Sequence, residues 1–184
     1  VQFVLNYEEG GERNILHGDK ESEAFLSEMV SAQPLQGERN MSMESLYEYG
    51  SRAGVWRLLK LFKESGVPLT IFAVAMAAQR HPDVIRAMVE AGHEICSHGY
   101  RWIDYQYVSE EVERAHIAEA IALHESLTGS RPLGWYQGRT SPNTAMPRNS
   151  PHTLADHSTC PTTDMMNTPA YFNVARVAPK PIAG

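Results

Sequence analysis

The feature that most constrains this chain is a hydrophobic period that switches repeatedly between strand-like and helix-like spacing. Val1–Tyr7 is a nearly continuous apolar run and reads as a strand buried on both faces. Ser51–Ser65 sets Val55, Leu58, Leu59 and Phe62 at helical spacing, and Gly66 stands where a C-cap belongs. Pro68–Val74 reads as a second strand. The helix after it opens at Pro82, carries Ile85, Met88 and Val89 on its apolar side and closes at Gly92. His93–Ser97 is the third strand. Ser109 caps a long helix whose first turn holds Glu110 and Glu111, where the helix dipole favours anions. Leu133–Tyr136 is the fourth strand. Strand–helix alternation with short links predicts an α/β fold with a parallel sheet and right-handed crossovers.

This pattern stops near Thr144. All 17 glutamates precede that point, and six of the 11 prolines follow it. Basic and acidic residues number 13 and 20 up to Thr144, then three and two. Prolines that frequent fix φ and remove donors too often for a helix or a central strand. Residues 1–144 therefore read as one folded unit and 145–184 as an irregular, Pro-rich tail, which a shifted reading frame would produce. The chain also starts without a Met inside an apolar run, as a piece of a longer protein would. A net charge of −6 excludes a basic face for nucleic acid or anionic lipid. No apolar run approaches the ~18 residues of a membrane span. Two cysteines cannot build a disulfide framework, which fits a cytoplasmic location.

In parallel sheets chemistry collects at the carboxyl ends of the strands. Here those ends read Asn6-Tyr7-Glu8-Glu9-Gly10, Ala73-Val74-Ala75, Ser97-His98-Gly99-Tyr100-Arg101-Trp102 and Gly138-Arg139-Thr140. Side chains alternate across a strand, so at most one of Glu8 and Glu9 faces a common site. Either carboxylate could serve as a general base for water, or both could be a solvated loop pair. His98 could shuttle a proton near neutral pH, bind a metal, or simply complete a hydrogen bond. The Arg139 guanidinium could orient a carboxylate, hold a polar substrate, or close a structural salt bridge. Cys96 reads as a small core residue rather than a nucleophile. Ser141 lacks the glycine frame of a nucleophile elbow, and Gly10-Gly11 lacks phosphate-loop spacing.

The segments FVLNYEEGGERN (3–14), MSMESLYEYGSRAGVWRLLKLF (41–62), HEICSHGYRWIDY (93–105) and RPLGWYQGRTSPNT (131–144) resemble the polysaccharide deacetylase-like (NodB-homology) hydrolases. Within these the resemblance is to the cofactor-independent allantoinase branch. It implies an irregular (β/α) barrel, of which this chain carries the amino-terminal half. Typical members carry an Asp-Asp pair after the first strand, where this chain has Glu8 and Glu9. They also carry a His-x-x-x-His metal pair, where this chain has His98 and then Trp102. Indole cannot coordinate a divalent ion, so the resemblance implies no metal and no other cofactor.

The reaction implied by the resemblance is hydrolysis of a cyclic amide C–N bond, the opening of allantoin to allantoate in purine breakdown. Glu9 is expected to activate water, with Glu8 as its substitute and His98 as proton shuttle or general acid. Arg139, Trp102 and Tyr7 are the expected substrate-binding residues, Trp102 lying against the flat ring. The partner is a small molecule, allantoin or a related hydantoin or imide, and a homo-oligomer is one state open to the full-length enzyme. Two other readings stay open: a metal-dependent N-deacetylase or amidase of the same family, and a truncated remnant without activity.

Overall fold

The computed structural model describes residues 2–136, 138 and 139. The expected tail, 145–184, lies outside them. Three parallel strands, β1 (Val4–Tyr7), β2 (Thr70–Ala73) and β3 (Glu94–Ser97), form a sheet in sequential order β1-β2-β3. Their register aligns Tyr7, Ala73 and Ser97 at the carboxyl end. The fourth segment continues the order on the far side of β3. There the Ser97 N–H donates to Gly134 O at 3.0 Å, and Tyr136 N–H donates back to Ser97 O at 2.9 Å. The pairing at Trp135 is one parallel bridge rather than the extended strand expected over Leu133–Tyr136. Sequential order with a helix over each link is the progression of a (β/α) barrel, not of a doubly wound sheet.

Helices α1 (Met41–Tyr49) and α2 (Val55–Ser65) are joined without a break by a five-residue π-helical turn, Gly50–Gly54. The sequence pattern had indicated only the part from Ser51 onward. The cause is visible in the buried residues, Met43, Tyr47, Ser51, Val55 and Leu59, which recur every fourth position. In an ideal α-helix such a row drifts by about 40° per step. The wider π turn takes back part of that drift and keeps Tyr47 and Leu59 facing the protein. Asn40 caps α1 by accepting from Met43 N–H, and Gly66 closes α2 as expected.

Between β2 and β3 stand two helices rather than one, α3 (Ala75–Arg80) and α4 (Pro82–Glu90). The alanines of α3 gave no amphipathic signal, although Ala75, Ala77 and Ala78 are all buried. Helix α5 (Glu110–Thr128) starts where Ser109 accepts a hydrogen bond from Val112 N–H. α2, α4 and α5 pack in series along one side of the sheet. The core lies there, where Tyr7, Ile71 and Ala73 meet Val55, Leu59, Ile85 and Met88.

β1 departs from expectation. Tyr7 is buried, but Phe3 and Val4 are 44% and 42% exposed, so the strand is not covered on both faces. Among the described residues it pairs only with β2, which leaves its other edge open.

Candidate active site at the carboxyl ends of the strands

Alternation along β1 sends Tyr7 into the helix-side core and Glu8 to the opposite face. That opposite face holds an aromatic stack. His98 lies 5.2 Å from Tyr136 with the rings 4° from parallel, and Phe72 lies 4.6 Å from Tyr136. His98 is 1% exposed, and its Nε2 lies 2.9 Å from Glu8 Oε1. The same carboxylate oxygen accepts from Asn6 Nδ2 at 3.0 Å. His98 Nδ1 lies 2.7 Å from the carbonyl oxygen of Tyr136. A carbonyl can only accept, so Nδ1 carries a proton and donates. One further proton is then shared across the Nε2–Glu8 contact, either as imidazolium and carboxylate or as imidazole and carboxylic acid.

Glu9 goes elsewhere. Its carboxylate packs on Gly50 in the π turn, where an added Cβ would overlap it, and Oε2 accepts from Glu8 N–H at 3.1 Å. Burial, reinforced by the neighbouring charges of Glu8 and Glu12, raises its carboxyl above the ordinary value. The structure thus sets Glu8 against His98, while Glu9, the carboxylate expected to activate water, lies on the π turn. The physical reason is the pleat: consecutive residues leave a strand on opposite sides.

Trp102 is 5% exposed and holds its backbone in place by donating from N–H to Gly11 O at 2.9 Å. The Arg139 guanidinium stacks 4.8 Å from the Trp102 ring and 5.3 Å from the Phe25 ring. It is paired with Glu23 at 3.0 Å and Asp104 at 3.1 Å. Arg139 was expected to orient the base or grip substrate. Its guanidinium makes the structural salt bridge that was the other reading, joining Glu23, in the segment between β1 and α1, to Asp104 in the loop after β3. Glu23 is itself buried and accepts from the N–H groups of Ala24 and Phe25. Arg101 makes a parallel connection, with two bonds to Asp19 and a third to Glu12 O. Gly138 leaves room for all of this, since a Cβ there would stand 2.7 Å from Trp102 Cδ1 and 3.1 Å from His98 Nε2.

Sequence reasoning missed Asn6, Tyr47, Glu23 and Asp104. Tyr47 was visible in principle as part of the every-fourth-residue row from Met43. Nothing local marked Glu23 and Asp104, because their partner Arg139 is distant in sequence, whereas Asn6 stands two residues from Glu8. Cys96 is buried as expected, and burial, with Glu94 nearby, pushes its thiol up to about 12.

A divalent metal needs a converging donor set, and these residues do not provide one. Both nitrogens of His98 are engaged, Trp102 fills the place of a second imidazole, and Glu9 is turned toward the π turn. Among the described residues no three His, Cys, Asp or Glu side chains converge. No helix among them is long and apolar enough to cross a membrane.

Residues 39–158 match the polysaccharide deacetylase family. A Schizosaccharomyces pombe protein named after the polysaccharide deacetylases is 46% identical over 147 residues, covering 78% of this chain and 46% of its own length. The crystal structure of PuuE allantoinase is 85% identical with a TM-score of 0.75, over 78% of this chain and 47% of that one. A crystal structure of a probable polysaccharide deacetylase from Pseudomonas aeruginosa PAO1 is 79% identical with the same TM-score, 0.75, over 78% of this chain and 48% of the other. The chain therefore spans about half the length of these relatives. Its matched residues, its sequential parallel sheet and its strand-end site make this chain a member of the polysaccharide deacetylase family.

Proposed function

We propose that the protein hydrolyses a cyclic amide C–N bond, and that its substrate is allantoin, opened to allantoate without a metal. The observation that carries this reading is the buried Glu8–His98 pair with an indole beside it where a metal ligand would be needed. The 85% identity to PuuE allantoinase supports the choice of substrate.

Hydrolysis requires a proton to leave water as it attacks the carbonyl carbon, and a proton to reach the ring nitrogen as the C–N bond breaks. In this reading Glu8 Oε1 stays on His98 and Asn6, while Oε2 takes the proton from water. Oε2 then returns that proton to the departing nitrogen, while the proton shared with His98 stays on the Nε2–Oε1 contact and holds the carboxylate in place. The Nδ1 bond to Tyr136 O keeps the imidazole from turning. Arg139, held by Glu23 and Asp104, acts by keeping the Trp102 indole flat against the substrate ring. A small uncharged heterocycle is the partner in this reading, and a homo-oligomer is one state open to the full-length enzyme.

The test is allantoate formation from allantoin with and without EDTA. Turnover that survives the chelator supports the reading. No allantoate, or activity lost to EDTA and restored by zinc, replaces it with a metal-dependent N-deacetylase.

A further inference from the structure

Glu8 and His98 stand on strands that are not neighbours. β2 lies between β1 and β3, so no ladder of hydrogen bonds sets the Glu8–His98 distance directly. The loop that carries His98 is tied at nearly every residue. His98 N–H donates to Ala73 O at 2.9 Å, and Gly99 O and Tyr100 O accept from the first N–H groups of α3, Ala75 and Met76, at 2.8 and 3.0 Å. Arg101 N–H donates to Tyr105 Oη at 3.3 Å, and the same hydroxyl lies 3.0 Å from His116 Nδ1 on α5. His98 therefore stands on a fixed frame.

The chain after Glu8 is held to that frame by the Arg101 side chain. Gly10 turns it with φ 110°, and Gly11 N–H closes the turn onto Glu8 O at 2.9 Å. The Arg101 guanidinium makes two bonds to Asp19, at 2.9 and 2.7 Å, and one to Glu12 O at 2.9 Å. Beside it Trp102 N–H donates to Gly11 O at 2.9 Å. Asp19 is seated in turn by accepting from Asn14 N–H at 2.8 Å. Burial acts to raise the Asp19 carboxyl, but the Arg101 bonds and the Asn14 N–H outweigh it and hold the group below its ordinary value. The two side chains are only 11% and 17% exposed, so little water competes for the pair. Each of these contacts to Arg101 and Trp102 joins the loop after β1 to the loop after β3, and none depends on the open edge of β1.

Resting on the reading above, we infer that Arg101, seated on Asp19, is a positioning residue for the reaction: it clamps the Glu8 turn to the His98 loop and so fixes the Glu8–His98 contact. The path is short. Arg101 holds Glu12 O, its neighbour Trp102 holds Gly11 O, and Gly11 N–H holds Glu8 O. A guanidinium suits the task because its rigid fork serves the Asp19 carboxylate and the Glu12 carbonyl at once.

The test measures kcat and KM on allantoin for Arg101→Met and Asp19→Asn, each alone and combined with Glu8→Gln. Arg101→Met should lower kcat about 100-fold, the scale of a small displacement of the reacting groups, with KM nearly unchanged. Asp19→Asn keeps the size of the side chain and should lower kcat about tenfold; it carries the test if Arg101→Met does not fold. In the Glu8→Gln background neither substitution should cost anything further, because the group they position is already lost. An unchanged kcat overturns the inference. An equal loss in both backgrounds also overturns it, since the clamp would then be a general support of the fold. A second readout needs no turnover. The ring nitrogen resonances of His98, identified by their change in Glu8→Gln, should move in Asp19→Asn at constant pH, and resonances identical to wild type overturn the inference. If wild type forms no allantoate, the proposed reaction falls, and these resonances still decide the clamp.

Discussion

The two ends of the same sheet satisfy their buried polar groups to different degrees. At the amino end, Gln2 Nε2 donates to Thr70 Oγ1 at 2.9 Å, and the Thr70 hydroxyl donates on to Glu94 Oε2 at 2.8 Å. The chain crosses three strands, and donor meets acceptor at each step. At the carboxyl end, Tyr7, Tyr47 and Trp102 bury donors without partners, and the half-buried Glu9 and the buried Glu12 have carboxyl pKa values raised chiefly by desolvation. A fold selected only for stability would make both ends look like the first. The amino end has one unpartnered buried atom of its own, His93 Nε2, so the contrast is one of number, and it agrees with the general placement of sites in parallel α/β architectures.

The comparison can be broken most directly at Glu8. If the carboxyl end is built for proton transfer, Glu8→Gln keeps the shape of the side chain but removes the shared proton. Turnover of allantoin should fall by about 10²–10⁴, while the melting temperature stays close to wild type. Near-normal turnover would remove Glu8 from the mechanism. Next in size is Arg139→Met, which leaves the Glu23 carboxylate buried with only its two backbone donors. We expect a loss of about 1–3 kcal/mol in denaturant unfolding, with KM rising as the Trp102 indole loses its backing. Stability unchanged would make the Glu23 pair incidental.

The sequence carried the fold's order well, because period changes and caps such as Ser109 and Gly66 are local signals. It carried less of α3, whose alanines lack contrast, and it missed α1, whose inward row makes sense only with a π turn that no local pattern announces. In the candidate site, Glu8, His98, Trp102 and Arg139 were legible as residues at strand ends. Their pairing was not. Whether Glu8 or Glu9 meets His98 depends on one pleat, and Glu23 meets Arg139 across 116 positions. Such partners are fixed by the topology, and only the assembled sheet brings them together.

The opposite end supplies a control. Thr70→Val removes the middle of a satisfied chain and keeps the β-branched shape. It should cost about 1 kcal/mol, seen as a fall of about 2–4 °C in melting temperature. Neither kcat nor KM on allantoin should change. A change in kcat would mean that the two ends are coupled, and the contrast between them would lose its force.

The finest test concerns Glu9 and pH. Burial raises its carboxyl above the ordinary value, so the folded protein holds this proton to higher pH than the unfolded chain does. Well below the usual carboxylate range both states are protonated, and Glu9→Gln should melt with wild type. As pH rises from the unfolded value through the raised one, the unfolded chain ionises first, and wild type loses stability that the glutamine variant keeps. The melting difference should therefore be near zero in acid, grow in favour of Glu9→Gln up to the raised pKa, and stay level above it. Glu12 is raised by the same cause, so Glu12→Gln should show the same sign on its own. A difference that runs the other way, with the variant less stable at neutral pH, would mean that the Glu9 charge has a stabilising partner. The carboxyl end would then be as well satisfied at that position as the amino end is at Thr70.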